Sequence, residues 1–79
     1  MWIDASLWQL LDAGDWACAH GDEEILEQVG RELEARLSGV TAELARNVIV
    51  LVGEDLPAAT VLWSRLAEHV REAQAPMHG

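Results

Sequence analysis

The segment Asn47-Val48-Ile49-Val50-Leu51-Val52-Gly53 holds the longest unbroken apolar run in the chain. Five consecutive apolar residues rich in β-branched types fit either a buried strand or a helix buried on most of its sides. A lone strand in a chain of 79 residues would leave edges whose N–H and C=O groups demand pairing from a second chain. The helical alternative extends backward. Thr41 caps, Glu43 sits in the first turn, and Leu44, Val48, Leu51 and Val52 follow at helical spacing. The spacing therefore predicts a helix over 41–52 at the centre of the fold. A helix apolar nearly all round is buried nearly all round. On that basis an aspartate at Val50 is expected to bury an unpaired carboxylate and unfold the chain.

Amphipathic patterns flank this run on both sides. The first is expected over 4–13, with Asp4 as N-cap, Ile3 and Trp8 as a hydrophobic staple, and Leu7, Leu10 and Leu11 facing inward. Ala13-Gly14 is read as its end, with Gly14 left-handed, and Asp15 as the cap of a short turn over 15–20 closed by Gly21. The second pattern covers 22–38. Asp22 caps it, Glu23 and Glu24 favour the positive end of the helix dipole, and Leu26, Val29, Leu33 and Leu37 form its stripe. Gly30 lies on the same stripe, where it costs about 1 kcal/mol of helix propensity relative to Ala. A close helix crossing would explain it. After Gly53-Glu54-Asp55, a last helix is expected over 56–74. Its inner face is expected to carry Ala59, Leu62, Trp63, Leu66, Val70 and Ala73. Residues 75–79 read as a frayed tail. The predicted fold class is thus all-α, a small four-helix, bundle-like arrangement within one domain, 1–79, whose short connections favour antiparallel neighbours.

Charge is distributed unevenly. The net charge is −9, yet residues 1–30 hold seven acids and no Lys or Arg. The acids are Asp4, Asp12, Asp15, Asp22, Glu23, Glu24 and Glu27, interleaved with Trp2, Trp8 and Trp16. Such a balance argues against direct contact with nucleic acid or an anionic membrane. No segment reaches the roughly 18 apolar residues a membrane span needs, and no basic segment followed by an apolar one marks a signal peptide. The single Cys18 excludes an internal disulfide and fits a reducing, cytoplasmic setting.

Candidate chemistry is sparse. Cys18 and His20 stand two apart, a spacing that sends helical side chains to different sides, and only His69 could join them. No metal, cofactor or catalytic residue is expected. Gly53-Glu54-Asp55 would repel phosphate rather than cradle it. The chain's acidity and size, with Gly53, Leu56-Pro57-Ala58 and a Ser38 placed ahead of Glu43-Leu44, resemble pieces of acyl carrier proteins. The modified serine of that family follows an aspartate, whereas Leu37 precedes Ser38 here, and a helix is expected where the family has a long loop. The resemblance covers under half of the chain and implies no carrier function.

The sequence therefore points to a non-enzymatic protein-interaction module: a small acidic adaptor, chaperone or regulator. Its partner-binding face is expected to comprise Trp2, Trp8, Asp12, Asp15, Trp16, Asp22, Glu23, Glu24 and Glu27, against a protein with a basic surface. A homodimer is expected through Val48, Leu51, Val52, Leu62, Trp63 and Leu66, because four short helices are too few to cover so much apolar surface. The alternative is an acidic decoy that blocks a nucleic-acid-binding groove, as DNA mimics and some anti-CRISPR proteins do.

Overall fold

The computed structural model describes residues 2–74, and the tail expected over 75–79 lies outside them. Four helices follow in order: α1 Leu7–His20, α2 Glu23–Arg36, α3 Gly39–Val52 and α4 Leu56–Gln74. There is no strand among the described residues, so 47–52 is helical. The fold is all-α and bundle-like, as the periodicity predicts.

Two-residue connections turn α1 into α2 and α2 into α3. Gly30 of α2 meets Ile49 of α3, while Glu34, one turn further on, pairs with Arg46 at 2.7 Å. Contacts that advance along one helix and recede along the other make the pair antiparallel. The same holds between α1 and α4, where Gly14 meets Trp63 and Cys18 meets Thr60. The helix α3 packs on both α2 and α4, and α1 closes the bundle against α2 and α4. The core comprises Leu10, Leu11, Leu26, Leu33, Val48, Trp63 and Leu66 with smaller neighbours, all essentially out of solvent. Each such large side chain contributes about 1.5–3 kcal/mol relative to exposure.

The first helix differs from expectation. It runs unbroken through Gly14 and Asp15 instead of ending at 13 and restarting. Gly14 is buried and helical, not left-handed; a Cβ there would overlap Cζ2 and Cη2 of the Trp63 indole. The N-cap is Ser6, not Asp4. The Ser6 hydroxyl accepts from the Gln9 N–H at 3.1 Å, and the Gln9 side chain accepts from the Ser6 N–H at 2.7 Å, a reciprocal capping box. The staple is absent, since Ile3 is 76% exposed. Gly21, with φ of 67°, ends the helix in the left-handed region, where a side chain would be strained.

Residues 2–5 are tied down differently. The Arg36 guanidinium donates to the backbone carbonyls of Trp2, Ile3 and Ala5 while holding Glu32 at 2.8 Å. A single arginine fork thus satisfies three carbonyls of a segment that has no helix of its own.

The other boundaries shift by small amounts. Asp22 caps α2 by accepting from Ile25 N–H at 3.1 Å, but the helix stops at Arg36, and Leu37 is extended. α3 begins at Gly39 rather than Thr41, with Ser38 at the cap position; the Thr41 hydroxyl donates to the Ser38 carbonyl instead of capping. Ser38 stands between two helices joined by a tight turn, with no long loop before it. Asp55 caps α4, its carboxylate accepting from Ala58 N–H at 3.2 Å.

Two expectations built on the central run need correction. Val50 is 54% exposed, because α3 buries only the face carrying Ala45, Val48 and Val52 and shows the opposite face to solvent. An aspartate at Val50 therefore would not enter the core. Val48, Val52, Trp63 and Leu66, expected on a self-association surface, are buried in the interior of a single copy and present almost no exposed surface. Leu51 and Leu62 are half-buried and pack against the same core.

The α2–α3 crossing yields a test. A Cβ at Gly30 would sit 3.0 Å from Ile49 Cγ1, tighter than ordinary packing. Gly30→Leu should lower stability by about 1–3 kcal/mol through overpacking. Val50→Asp should change it by no more than about 0.5 kcal/mol, as surface substitutions do. Urea unfolding followed by circular dichroism measures both. A stabilised Gly30→Leu, or an unfolded Val50→Asp, would contradict the packing described.

Candidate functional site

The outer face of α1 concentrates what the rest of the surface lacks. With Leu10, Leu11, Gly14 and Ala17 buried, the residues on the opposite side of the helix point to solvent. Trp8, Asp12 and Trp16 succeed one another at intervals of four, so they stand on one face. At 1.5 Å of rise per residue, the two tryptophans are about 12 Å apart along the axis with the carboxylate midway. Trp8 is 49% exposed and Trp16 51%. Leaving half an indole in water forgoes much of the burial such a ring provides.

Trp16 is not loose on this face. The ring of His20, one turn further on, stacks on it with centroids 4.2 Å apart and planes 20° from parallel. His20 Nδ1 lies 2.9 Å from the Trp16 carbonyl oxygen. A carbonyl only accepts, so that contact places the proton on Nδ1. From sequence, His20 stands out only as a possible metal ligand beside Cys18, not as part of the tryptophan face. Its signal was present: Trp16 and His20 are four apart in what proves to be one helix.

Other expected members of the face are committed elsewhere. Asp15 accepts from Trp63 Nε1–H at 2.9 Å and pairs with Arg71 at 2.7 Å, so its carboxylate serves the α1–α4 junction. Trp2 is half-buried and donates its indole N–H to Gln28 Oε1 at 2.9 Å, joining residue 2 to α2. Asp22 is a helix cap, and Glu27 pairs with Arg31 at 2.9 Å. Glu24 accepts a long hydrogen bond from the Gln28 amide at 3.5 Å. Asp12 and Glu23 are exposed and form no ion pair or side-chain hydrogen bond among the described residues. The structure thus brings together Trp8, Asp12, Trp16 and His20, with Glu23 and Glu24 just beyond the turn at the His20 end.

The chemistry-bearing residues do not converge. Cys18 is half-buried on the side of α1 facing α4, and burial pushes its thiol pKa up; Asp15 adds to the rise while a Thr60 hydrogen bond opposes it. A thiol held protonated is a poor nucleophile and a poor metal ligand. His20 lies on the outer face and His69 is exposed on α4. Among the described residues no three His, Cys, Asp or Glu side chains are grouped to hold a metal ion. An open groove of about 430 Å³ runs beside Trp2, Ile3, Gln28, Arg31 and Glu32. Among the described residues the one cation lining it, Arg31, is paired with Glu27. Among the described residues no helix is long and apolar enough to cross a membrane. No protein-family model, curated protein or solved structure matches the chain.

Proposed function

We propose that this chain is a non-enzymatic protein-binding module, an adaptor or regulator, that docks the outer face of α1 on a basic surface of another protein. The observation that carries the proposal is the pair of half-exposed tryptophans, Trp8 and Trp16, on one helix face around Asp12. Tryptophan anchors dominate binding energy at interfaces because they bury a large area with little loss of side-chain freedom. His20 already restricts Trp16, which lowers the ordering cost on association. The absence of Lys and Arg from residues 1–30 selects a basic partner by long-range attraction. The one free cysteine fits work in a reducing, cytoplasmic compartment.

A nucleic-acid-mimicking decoy would use the same charge in another way, as a row of free carboxylates over an exposed face. Four of the seven early acids have internal partners: Asp15 with Trp63, Asp22 as a cap, Glu24 with Gln28 and Glu27 with Arg31. Two indoles also interrupt any row along α1. Both features favour a protein partner.

Self-association is a separate question: Val48, Val52, Trp63 and Leu66 are buried within a single copy, whereas Leu51 and Leu62 are half-buried and Val40, Val50 and Val61 are exposed. Small-angle scattering should return a concentration-independent radius of gyration of about 12 Å for a monomer of this length, beside a Cα value of 11.8 Å. A larger radius that grows with concentration would restore the homodimer.

Docking itself is tested by affinity capture from the source cell with the native chain and with a Trp8→Ala/Trp16→Ala double variant. Both rings are half-exposed, so the variant should keep the native circular dichroism spectrum. It should lose at least tenfold of the captured partner, and the native capture should weaken with added salt. Equal capture by the two proteins would overturn the role of this face. Capture displaced by duplex DNA would favour the decoy.

A further inference from the structure

We infer that the occupant of the α1 face is a basic α-helix, laid along α1, with an arginine or lysine between two apolar residues. This rests on the protein-binding role proposed above and specifies its partner. The argument starts from spacing. Trp8, Asp12 and Trp16 repeat at one turn of helix, so an indole, a carboxylate and an indole recur about every 6 Å along the axis. A second helix lying alongside has the same axial repeat. Residues four apart on it meet the three groups in turn, apolar on indole, cation on carboxylate, apolar on indole. An extended strand advances about 6.6 Å for two residues, so its rise drifts by only about 1 Å over this length, but its twist turns successive side chains away from α1.

Charge complementarity fixes the sign. Asp12 has no internal partner among the described residues, and Glu23 and Glu24 extend the negative potential past the His20 end of α1. A second copy of this chain is a poor occupant, since the like-charged faces would meet. A guanidinium between two indoles also gains cation–π attraction from either ring. The room is available, because α1 packs against α2 and α4 on its inner side and shows Asp12, Trp16 and Ala19 to solvent. The bundle would thus accept a further helix on its outside, the helix-in-groove mode in which anchors are read at intervals of one turn.

The probe is an alanine-based helical peptide carrying two leucines eight residues apart, an arginine midway between them and further arginines on the same side. Two control peptides have glutamate for every arginine, or a central proline that breaks the helix. Titration into the full chain is followed by the indole N–H resonances in ¹H–¹⁵N spectra. Trp8 and Trp16 signals should move with the arginine helix, while that of Trp63, already bonded to Asp15, should stay in place. Asp12→Arg should weaken binding at least tenfold, and the glutamate peptide should recover affinity for that variant. Shifts of equal size with the proline-broken peptide would overturn the helical occupant in favour of an extended one. No shift at millimolar peptide, or shifts untouched by Asp12→Arg, would overturn it altogether. Trp-dependent capture that survives such a failure would leave the protein-binding role standing and remove only the helix.

Discussion

The indole of Trp63 packs directly against the α1 backbone at Gly14, and the setting of α1 in the bundle depends on that contact. No side chain fits between the two, because a Cβ at position 14 would overlap the ring. The ring is 1% exposed, so its one polar atom needs a partner inside the fold. Asp15, the next residue after Gly14, supplies it at 2.9 Å. The second carboxylate oxygen of Asp15 takes Arg71 from two turns further along α4. Three α4–α1 interactions therefore converge on two consecutive residues: packing, a charge-assisted hydrogen bond and an ion pair. The last is half-exposed and worth at most about 1 kcal/mol. The indole N–H bond matters more, since an unmet buried donor costs roughly 1–3 kcal/mol.

This junction also sets the rotation of α1. Successive residues turn by about 100° around a helix. Once Gly14 is turned toward Trp63, Leu10, Leu11 and Ala17 fall inside, and Trp8, Asp12 and Trp16 fall outside. The exposed tryptophan face is thus the geometric complement of the buried glycine. On the far side of the bundle Gly30 plays a similar part against Ile49, bringing α2 and α3 close. Small residues at both crossings let a chain with neither Phe nor Tyr close its core with Leu, Val and one large ring.

Much of the fold was legible from residue spacing. The stripe Leu26–Val29–Leu33, the cap at Asp22 and the breaks near Gly39 and Gly53 place α2, α3 and α4 to within a few residues. The inward face of α4 around Trp63 was equally clear. What could not be read locally was the state of Gly14. A glycine followed by aspartate has the local signature of a helix end and a new cap. Burial against a residue 49 positions away overrides it. That single tertiary contact also decides the candidate site. Had α1 ended at Gly14, Trp8 and Trp16 would not have shared a face, and Asp15 would have been free for a partner. The exposure of Val50 is not legible locally for a related reason: an apolar run shows which residues prefer burial, not how many faces the neighbouring helices cover.

The claim that the Trp63–Gly14 contact organises the bundle is tested most directly by a double-mutant cycle in urea unfolding. Alanine at position 14 gains about 1 kcal/mol of helix propensity but must displace the indole. Gly14→Ala should therefore destabilise the native sequence by about 1–3 kcal/mol. In a Trp63→Phe background the smaller ring leaves space, and the same replacement should be neutral or stabilising. An equal effect of Gly14→Ala in both backgrounds, or a stabilised single variant, would contradict the central role of the contact.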